Sequence, residues 1–270
     1  MQLLLSVFPG IDLLGRGFEA EGFSVVRGPD LIYGQDIRAF HVPPARFDGI
    51  IAGSPCQDFS AARRTAPTGY GAAMLAEFAR VVGEGMPGWF LLEQVPRAPT
   101  VQIAGYIVQR FDLNARECGM RQNRLRHFQF GSRRGLVIVP ERRAPVGRPA
   151  PICLASEGTK TTRRTWADFC ELQGLPRDFK LPGMTVKAMY AAVGNGVPVQ
   201  MARTVARAIR DATSGGNQRR LTDVRLCRCG CGRILEGKQR AATAACRKRL
   251  ERARLCPAGA RRAAAGHTFM

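Results

Sequence analysis

The chain has 270 residues, 45% of them hydrophobic, enough to bury the core of one large domain with a small appendage, so it is not a disordered protein. No apolar run reaches the roughly 18 residues of a membrane helix. The apolar start at Met1–Phe8 lacks the basic flank and small-residue cleavage site expected of a secretion signal. Against 21 Asp and Glu there are 41 Lys and Arg, and the net charge of +20 favours a polyanionic partner, nucleic acid first.

In chain order, Leu3-Leu4-Leu5-Ser6-Val7-Phe8 predicts a buried strand, followed by Pro9-Gly10 and a helical stretch to Glu21. Ser24-Val25-Val26 predicts a second strand, Phe47 to Gly53 a third, and Trp89-Phe90-Leu91-Leu92 a fourth. Short apolar runs separated by helical patterns up to about Gly135 predict a parallel, doubly wound sheet. In such sheets ligands bind beyond the carboxyl ends of the strands. Three groups of chemically capable residues fall there: Phe8 to Gly10, Pro55 to Ser60, and Glu93 to Pro96. From Leu136 to Arg164 the pattern weakens, broken by Pro140, Pro145, Pro149 and Pro151 and made basic by Arg142, Arg143 and Arg148. Periodicity returns at Trp166 and runs to about Asp211, ending in a helix after Pro198. Ser214-Gly215-Gly216-Asn217-Gln218 reads as a linker. The tail that follows holds +11 of the net charge.

Cys56 sits on the loop after the third predicted strand, in Gly53-Ser54-Pro55-Cys56-Gln57. Its thiolate would be the strongest nucleophile of the chain near neutral pH if its pKa is lowered. Alone, it reads more readily as a packed thiol. Glu93 ends an apolar strand, where burial is expensive without a polar partner, or where it is simply an exposed carboxylate. Arg124 and Arg126 alternate ahead of the strand-like His127–Phe130, so they share one face of an extended segment. Their forked guanidinium groups suit phosphates or a base carbonyl, or else a solvated basic edge. Gly194-Asn195-Gly196-Val197-Pro198 opens a helix; its glycines allow close backbone approach, and alone it is a capping turn.

Taken together and in this order, these segments resemble the cytosine-C5 DNA methyltransferase family, over Leu3 to about Ala212. Phe8-Pro9-Gly10 resembles its cofactor loop, Gly34-Gln35-Asp36-Ile37 its third motif, Pro55-Cys56-Gln57 its catalytic loop and Glu93-Gln94-Val95 its glutamate motif. Gln122-Asn123-Arg124-Leu125-Arg126 resembles its paired-arginine motif, and Gly194 to Pro198 its closing motif. The style of Gly28-Pro29-Asp30 and Gly34 to Arg38 is similar to phage-encoded members. The resemblance implies a Rossmann-like S-adenosylmethionine-dependent methyltransferase fold with a mostly parallel sheet. It implies S-adenosylmethionine as cofactor, held by Phe8, Pro9, Gly10, Asp30, Asp36, Ile37, Pro55, Asn195 and Val197. Asp30, after the second strand, is placed like a ribose-binding acid, and Asp36 would accept from the adenine amine. It also implies that Cys56 adds to C6 of a cytosine flipped out of double-stranded DNA. Glu93 would then hold N3 and the exocyclic amine, with Arg126 and Arg124 steadying the base. The setting implied is cytoplasmic, in a bacterial or phage-infected cell, with restriction-modification one role and the monomer the expected state.

The family usually has glycine near Asp12 and asparagine at Gln94, and Asp12 is a charge that could repel an anion. Residues 1–213 form the expected methyltransferase domain, but only 135–165 remain for target recognition. That is too short for a large recognition domain, so sequence choice is short, loose or supplied elsewhere. Residues 214–220 are the expected linker and 221–270 a basic, Cys-rich tail, in which Cys227, Cys229, Cys231 and Cys246 resemble a small zinc module. The C-x-C-x-C spacing is tight, and Cys256 or His267 could replace one ligand; the other reading is a disordered basic tail with free thiols. Two rival functions stay open: a tRNA cytosine methyltransferase, and a catalytically dead DNA-binding protein, against which intact Cys56, Glu93 and Arg126 argue.

Overall fold

A computed structural model describes residues 1–255 except 61–62, 216–217, 230–232 and 236, so Cys231, Cys256 and His267 lie outside the described residues. Six strands form one sheet in the order β2-β1-β3-β4-β6-β5. β1 (Leu3–Val7) is flanked by β2 (Ser24–Arg27) and β3 (Gly49–Gly53), and β3 pairs with β4 (Trp89–Gln94), all parallel. β6 (Leu125–Ser132) runs antiparallel to both β4 and the edge strand β5 (Ile107–Asn114). The expected Rossmann-like, mostly parallel sheet is therefore present.

The inner strands are apolar at every position because successive residues enter different cores. Leu4, Ile51 and Leu91 face a cluster with Phe18 of α1 (Leu13–Glu19) and Met201, Val205 and Ile209 of α5 (Val199–Thr213). Their neighbours Leu5, Ile50 and Leu92 face Phe78, Val81 and Val82 of α2 (Tyr70–Gly85). Each such side chain contributes about 1.5–3 kcal/mol on burial, so both faces of the sheet are strongly fastened. A third cluster joins α3 (Trp166–Leu172) and α4 (Val186–Asn195) through Phe169, Tyr190 and Val193, and reaches Leu13.

Residues 136–165 hold no strand or α-helix; one 3-10 segment, Ala155–Thr159, interrupts the coil. Buried glutamine amides fasten this coil where no ladder can. The Gln109 amide donates to Ile138 O and accepts from Ile138 N, at 2.9 Å each. Gln122 accepts from Cys153 N (3.0 Å) and donates to Leu172 O (2.8 Å). Gln173 donates to Val193 O, and Gln129 secures the loop after β4 through Pro99 O and Val101 N. Beyond α5, Arg219 and Leu221 pair with Val137 and Gly135. A two-stranded hairpin of β7 (Arg225–Leu226) and β8 (Ile234–Leu235) follows, then α6 (Ala244–Leu255).

Candidate active site

A cavity of about 760 Å³ opens at the carboxyl ends of β1, β3 and β4. Every residue expected to act in catalysis or to hold the cofactor lines it: Phe8, Pro9, Gly10, Asp30, Asp36, Ile37, Pro55, Cys56, Glu93, Arg124, Arg126, Asn195 and Val197. The strand-end logic of the parallel sheet accounts for this, since consecutive crossovers deliver their loops to one edge.

The β1 loop is wound tightly, with positive φ at Phe8 (53°), Gly10 (55°) and Asp12 (56°). No heavy atom lies within 4 Å of where a Cβ on Gly10 would stand, so the loop leaves open space facing the cavity. Gly10 N donates to Asp30 Oδ2 (2.8 Å) and Ile32 N to Asp30 Oδ1 (2.9 Å). Each of these oxygens keeps a lone pair for a hydroxyl. Asp36 is gripped by Arg38, whose hydrogen bonds hold its carboxyl down to about 2, so it stays an anionic acceptor. These donors and acceptors fit a nucleoside with a ribose and an exocyclic amine.

Asp12 does not confront that space as a bare charge. Its carboxylate caps α1 by accepting from Gly15 N (3.0 Å), accepts from Ser6 Oγ (2.9 Å) and pairs with Arg27 Nε (3.0 Å). Burial nonetheless pushes its pKa up.

Cys56 begins the 3-10 turn Gln57–Phe59 just past β3. Burial pushes its thiol pKa up and the Glu93 charge adds to this, while Arg126 and Arg124 pull it down. Glu93, next to last in β4, has its side chain 9% exposed and paired to Arg126 Nε at 2.9 Å. Burial raises its pKa against the pull of Arg126 and Arg124. A thiol and a carboxyl, both held above their ordinary pKa by burial, thus share one partly dry pocket with two guanidinium groups; the lowered thiol pKa expected of a free-standing nucleophile is not what the folded pocket imposes.

The family model of C-5 cytosine-specific DNA methylase matches residues 32–163 and 160–211. The chain belongs to that family. Type II methyltransferase M.HgiDI of Herpetosiphon aurantiacus is 37% identical over 99 residues, which are 33% of this chain and 32% of that protein. Type II methylase M.HgiDII of the same organism is 24% identical over 179 residues, 53% of this chain and 50% of that protein. The alignments thus span a third to a half of these two curated relatives. The fold matches the Dnmt2 methyltransferase of S. pombe with a TM-score of 0.55 at 12% identity, covering 79% of this chain and 100% of that one.

Within this methylase-family chain, two site residues behave differently from their sequence-based reading. Arg124 is only 2% exposed and donates to Cys153 O (3.2 Å), Asn195 O (3.3 Å) and Gly196 O (3.1 Å). It ties the start of β6 to the Gly194–Gly196 turn, and burial beside Arg126 lowers its pKa to about 9. Gln94, noted only as a departure from asparagine, proves to be a strut of the cysteine loop. Fully buried, it donates to Ser54 O (2.8 Å) and Ser54 Oγ (2.6 Å). The added methylene provides reach across from β4 to β3. Gly194 has a packing reason: a Cβ there would stand 2.8 Å from Ala155 N.

Away from the cavity, Cys227, Cys229 and Cys246 bring their sulfurs within 4.8 Å of one another. Three of the four thiols expected to bind zinc therefore converge, and the fourth, Cys231, is outside the described residues.

Proposed function

We propose that the protein transfers a methyl group from S-adenosylmethionine to C5 of cytosine in double-stranded DNA. The observation that carries this reading is the convergence of Cys56, Glu93 and Arg126 on the cavity formed by the Phe8–Gly10 loop. When bound, S-adenosylmethionine supplies an electrophilic methyl on a sulfonium. Asp30 accepts from the ribose hydroxyls and Asp36 from the adenine amine, with Phe8, Ile37, Pro55 and Val197 as apolar walls.

The target base enters from a flipped-out position, since C6 is inaccessible inside a stacked duplex. Cys56 sulfur forms a bond to C6, and the electron pair of the C5–C6 bond moves toward C5 and the pyrimidine ring. Glu93, biased toward protonation by its burial, donates to N3 and accepts from the exocyclic amine, neutralising charge as it develops. While Glu93 carries its proton it adds no negative charge against Cys56 ionisation, and Arg126 and Arg124 favour the thiolate. C5 then takes the methyl, a base removes the C5 proton, and the sulfur–C6 bond breaks to restore aromaticity and the thiolate. Arg126 orients Glu93 through their ion pair, and Arg124 is a positioning residue for the Asn195 turn. Cys227, Cys229 and Cys246, three of the four thiols expected to bind zinc, would hold the ion in the C-terminal segment.

The test is methyl transfer from labelled S-adenosylmethionine to duplex DNA and to tRNA, followed by bisulfite sequencing of the DNA. Label at C5 of cytosine in DNA supports the reading; label confined to tRNA, or none, overturns it.

A further inference from the structure

We infer that the C-terminal hairpin and α6 form a zinc-organised grip for the DNA backbone, mounted beside the same carboxyl end of the parallel strands as Cys56. This rests on the reading of duplex DNA as substrate and says where, and by what means, the protein holds it.

The thiol geometry fits the metal. Cys227 and Cys229 sulfurs stand 3.5 Å apart, well beyond a disulfide bond of about 2.05 Å. Four thiolates at about 2.3 Å around a tetrahedral zinc are about 3.8 Å from each other. Cys227 directly follows β7 and Cys246 lies in the first turn of α6, so one ion would join hairpin to helix. Thr243 Oγ1 accepts from Cys246 N (3.2 Å) and donates to its sulfur (3.1 Å), fixing that thiol toward the others. The apolar cluster here consists of the thiols, Leu235, Ala241 and Ala242. So small a core cannot order a segment of this size, whereas thiolate–zinc bonds contribute their binding energy directly to folding.

Position follows from two ion pairs. Arg249 Nη1 lies 3.4 Å from Asp112 Oδ2 on β5, and Arg233 pairs with Glu117 just after β5. β5 runs parallel to β4, because each is antiparallel to β6. Asp112 is in register with His127, and His127 with Gln94, the neighbour of Glu93. The module therefore stands at the level of the catalytic carboxyl, two strand spacings or about 10 Å across the sheet. There α6 exposes Arg247, Lys248, Arg252 and Arg254, with Glu251 as its acidic exception. The occupant that complements this row beside a base-binding pocket is the phosphate backbone of the DNA that supplies the base. Residues 136–165 are a coil sewn to the body by Gln109 and Gln122, so the grip stands in for positioning that a larger recognition region would supply.

The experiment uses the full-length protein and a 30-base-pair duplex. Metal analysis should find about one zinc per chain, and Cys246→Ser should lose it. Each phosphate contact adds about 0.9 to the slope of log K against log salt. The triple variant Arg247→Gln/Lys248→Gln/Arg252→Gln should therefore lower that slope by about 2 to 3 without losing zinc. Cys246→Ser should lose slope similarly, and the triple variant keeps the test sharp if the serine variant misfolds. A full-length protein without zinc, or an unchanged slope in the triple variant, overturns the grip. If the wild type methylates DNA while the slope is unchanged, only the grip fails. If the slope falls as stated but no DNA is methylated, the grip stands and the methyltransferase reading fails.

Discussion

Removing the cation from the buried Arg126–Glu93 pair tests the electrostatics of the site most directly. In Arg126→Gln, Glu93 keeps its place in a pocket where its side chain is 9% exposed, but loses the guanidinium at 2.9 Å. Stripping one partner from a largely buried pair costs about 3–5 kcal/mol. For a domain of this size each kcal/mol shifts Tm by about 2–4 °C, so Tm should fall by roughly 10 °C at pH 8. The pH dependence carries the diagnosis. Burial already holds the folded-state pKa of Glu93 above its ordinary value, and losing Arg126 raises it further. An acid with a raised folded pKa is penalised above its unfolded value, because folding must then either bury the charge or take up a proton. The Tm deficit should therefore shrink as pH falls toward the ordinary glutamate range, where Glu93 is protonated folded and unfolded alike. The double variant Arg126→Gln/Glu93→Gln should recover much of the loss. Scanning calorimetry at pH 5 and 8 decides it. An equal deficit at both pH values, or a double variant as unstable as the single, would refute a buried charge as the cause.

Cys56→Ala should abolish methyl transfer while S-adenosylmethionine binding, measured by calorimetry, stays within a few-fold; the wild type should trap 5-fluorocytosine DNA and the variant should not. Glu93→Gln should slow turnover by about two to four orders of magnitude, the usual scale for losing acid–base help. Near wild-type turnover would make Glu93 structural. Gln94→Ala leaves Ser54 O and Oγ without their donor, at about 1–3 kcal/mol. Because that strut braces the cysteine loop, kcat should fall more than cofactor affinity, and equal losses would count against it.

Apolar runs made β1 to β4 legible, because buried parallel strands need no polar alternation. Residue order then placed the Phe8–Gly10 loop, Cys56 and Glu93 at one end of the sheet, which needs only topology. β5 carries no legible alternation, since its inward positions are Gln109, Phe111 and Leu113, and a glutamine in an inward slot breaks the apolar pattern. Arg124 and Arg126 looked alike because period-two spacing gives a shared face but not the partners. One arginine meets a carboxylate and the other three carbonyls, from residues up to 72 positions away. Gln94 illustrates the same limit, since its importance depends on which loop β3 presents next to it. The cysteine spacing suggested a metal, but the ion pairs that set the module against β5 join residues more than 100 positions apart and leave no local pattern.

The buried glutamines also decide how the molecule responds to its surroundings. Gln94, Gln109, Gln122, Gln129 and Gln173 are each at most 1% exposed, and each fastens irregular backbone through an amide that neither titrates nor attracts counterions. The C-terminal module is moored instead by the arginine–carboxylate contacts at Asp112 and Glu117, one with Arg249 half exposed, and ions in solution weaken such moorings. Rising ionic strength should thus unmoor the two parts in a fixed sequence: the module lifts away while the coil of residues 136–165 stays stitched to the sheet. The coil is thus held by neutral amides beside its Arg142–Glu117 contact, and the appendage by arginine–carboxylate contacts, two regimes of cohesion within one chain.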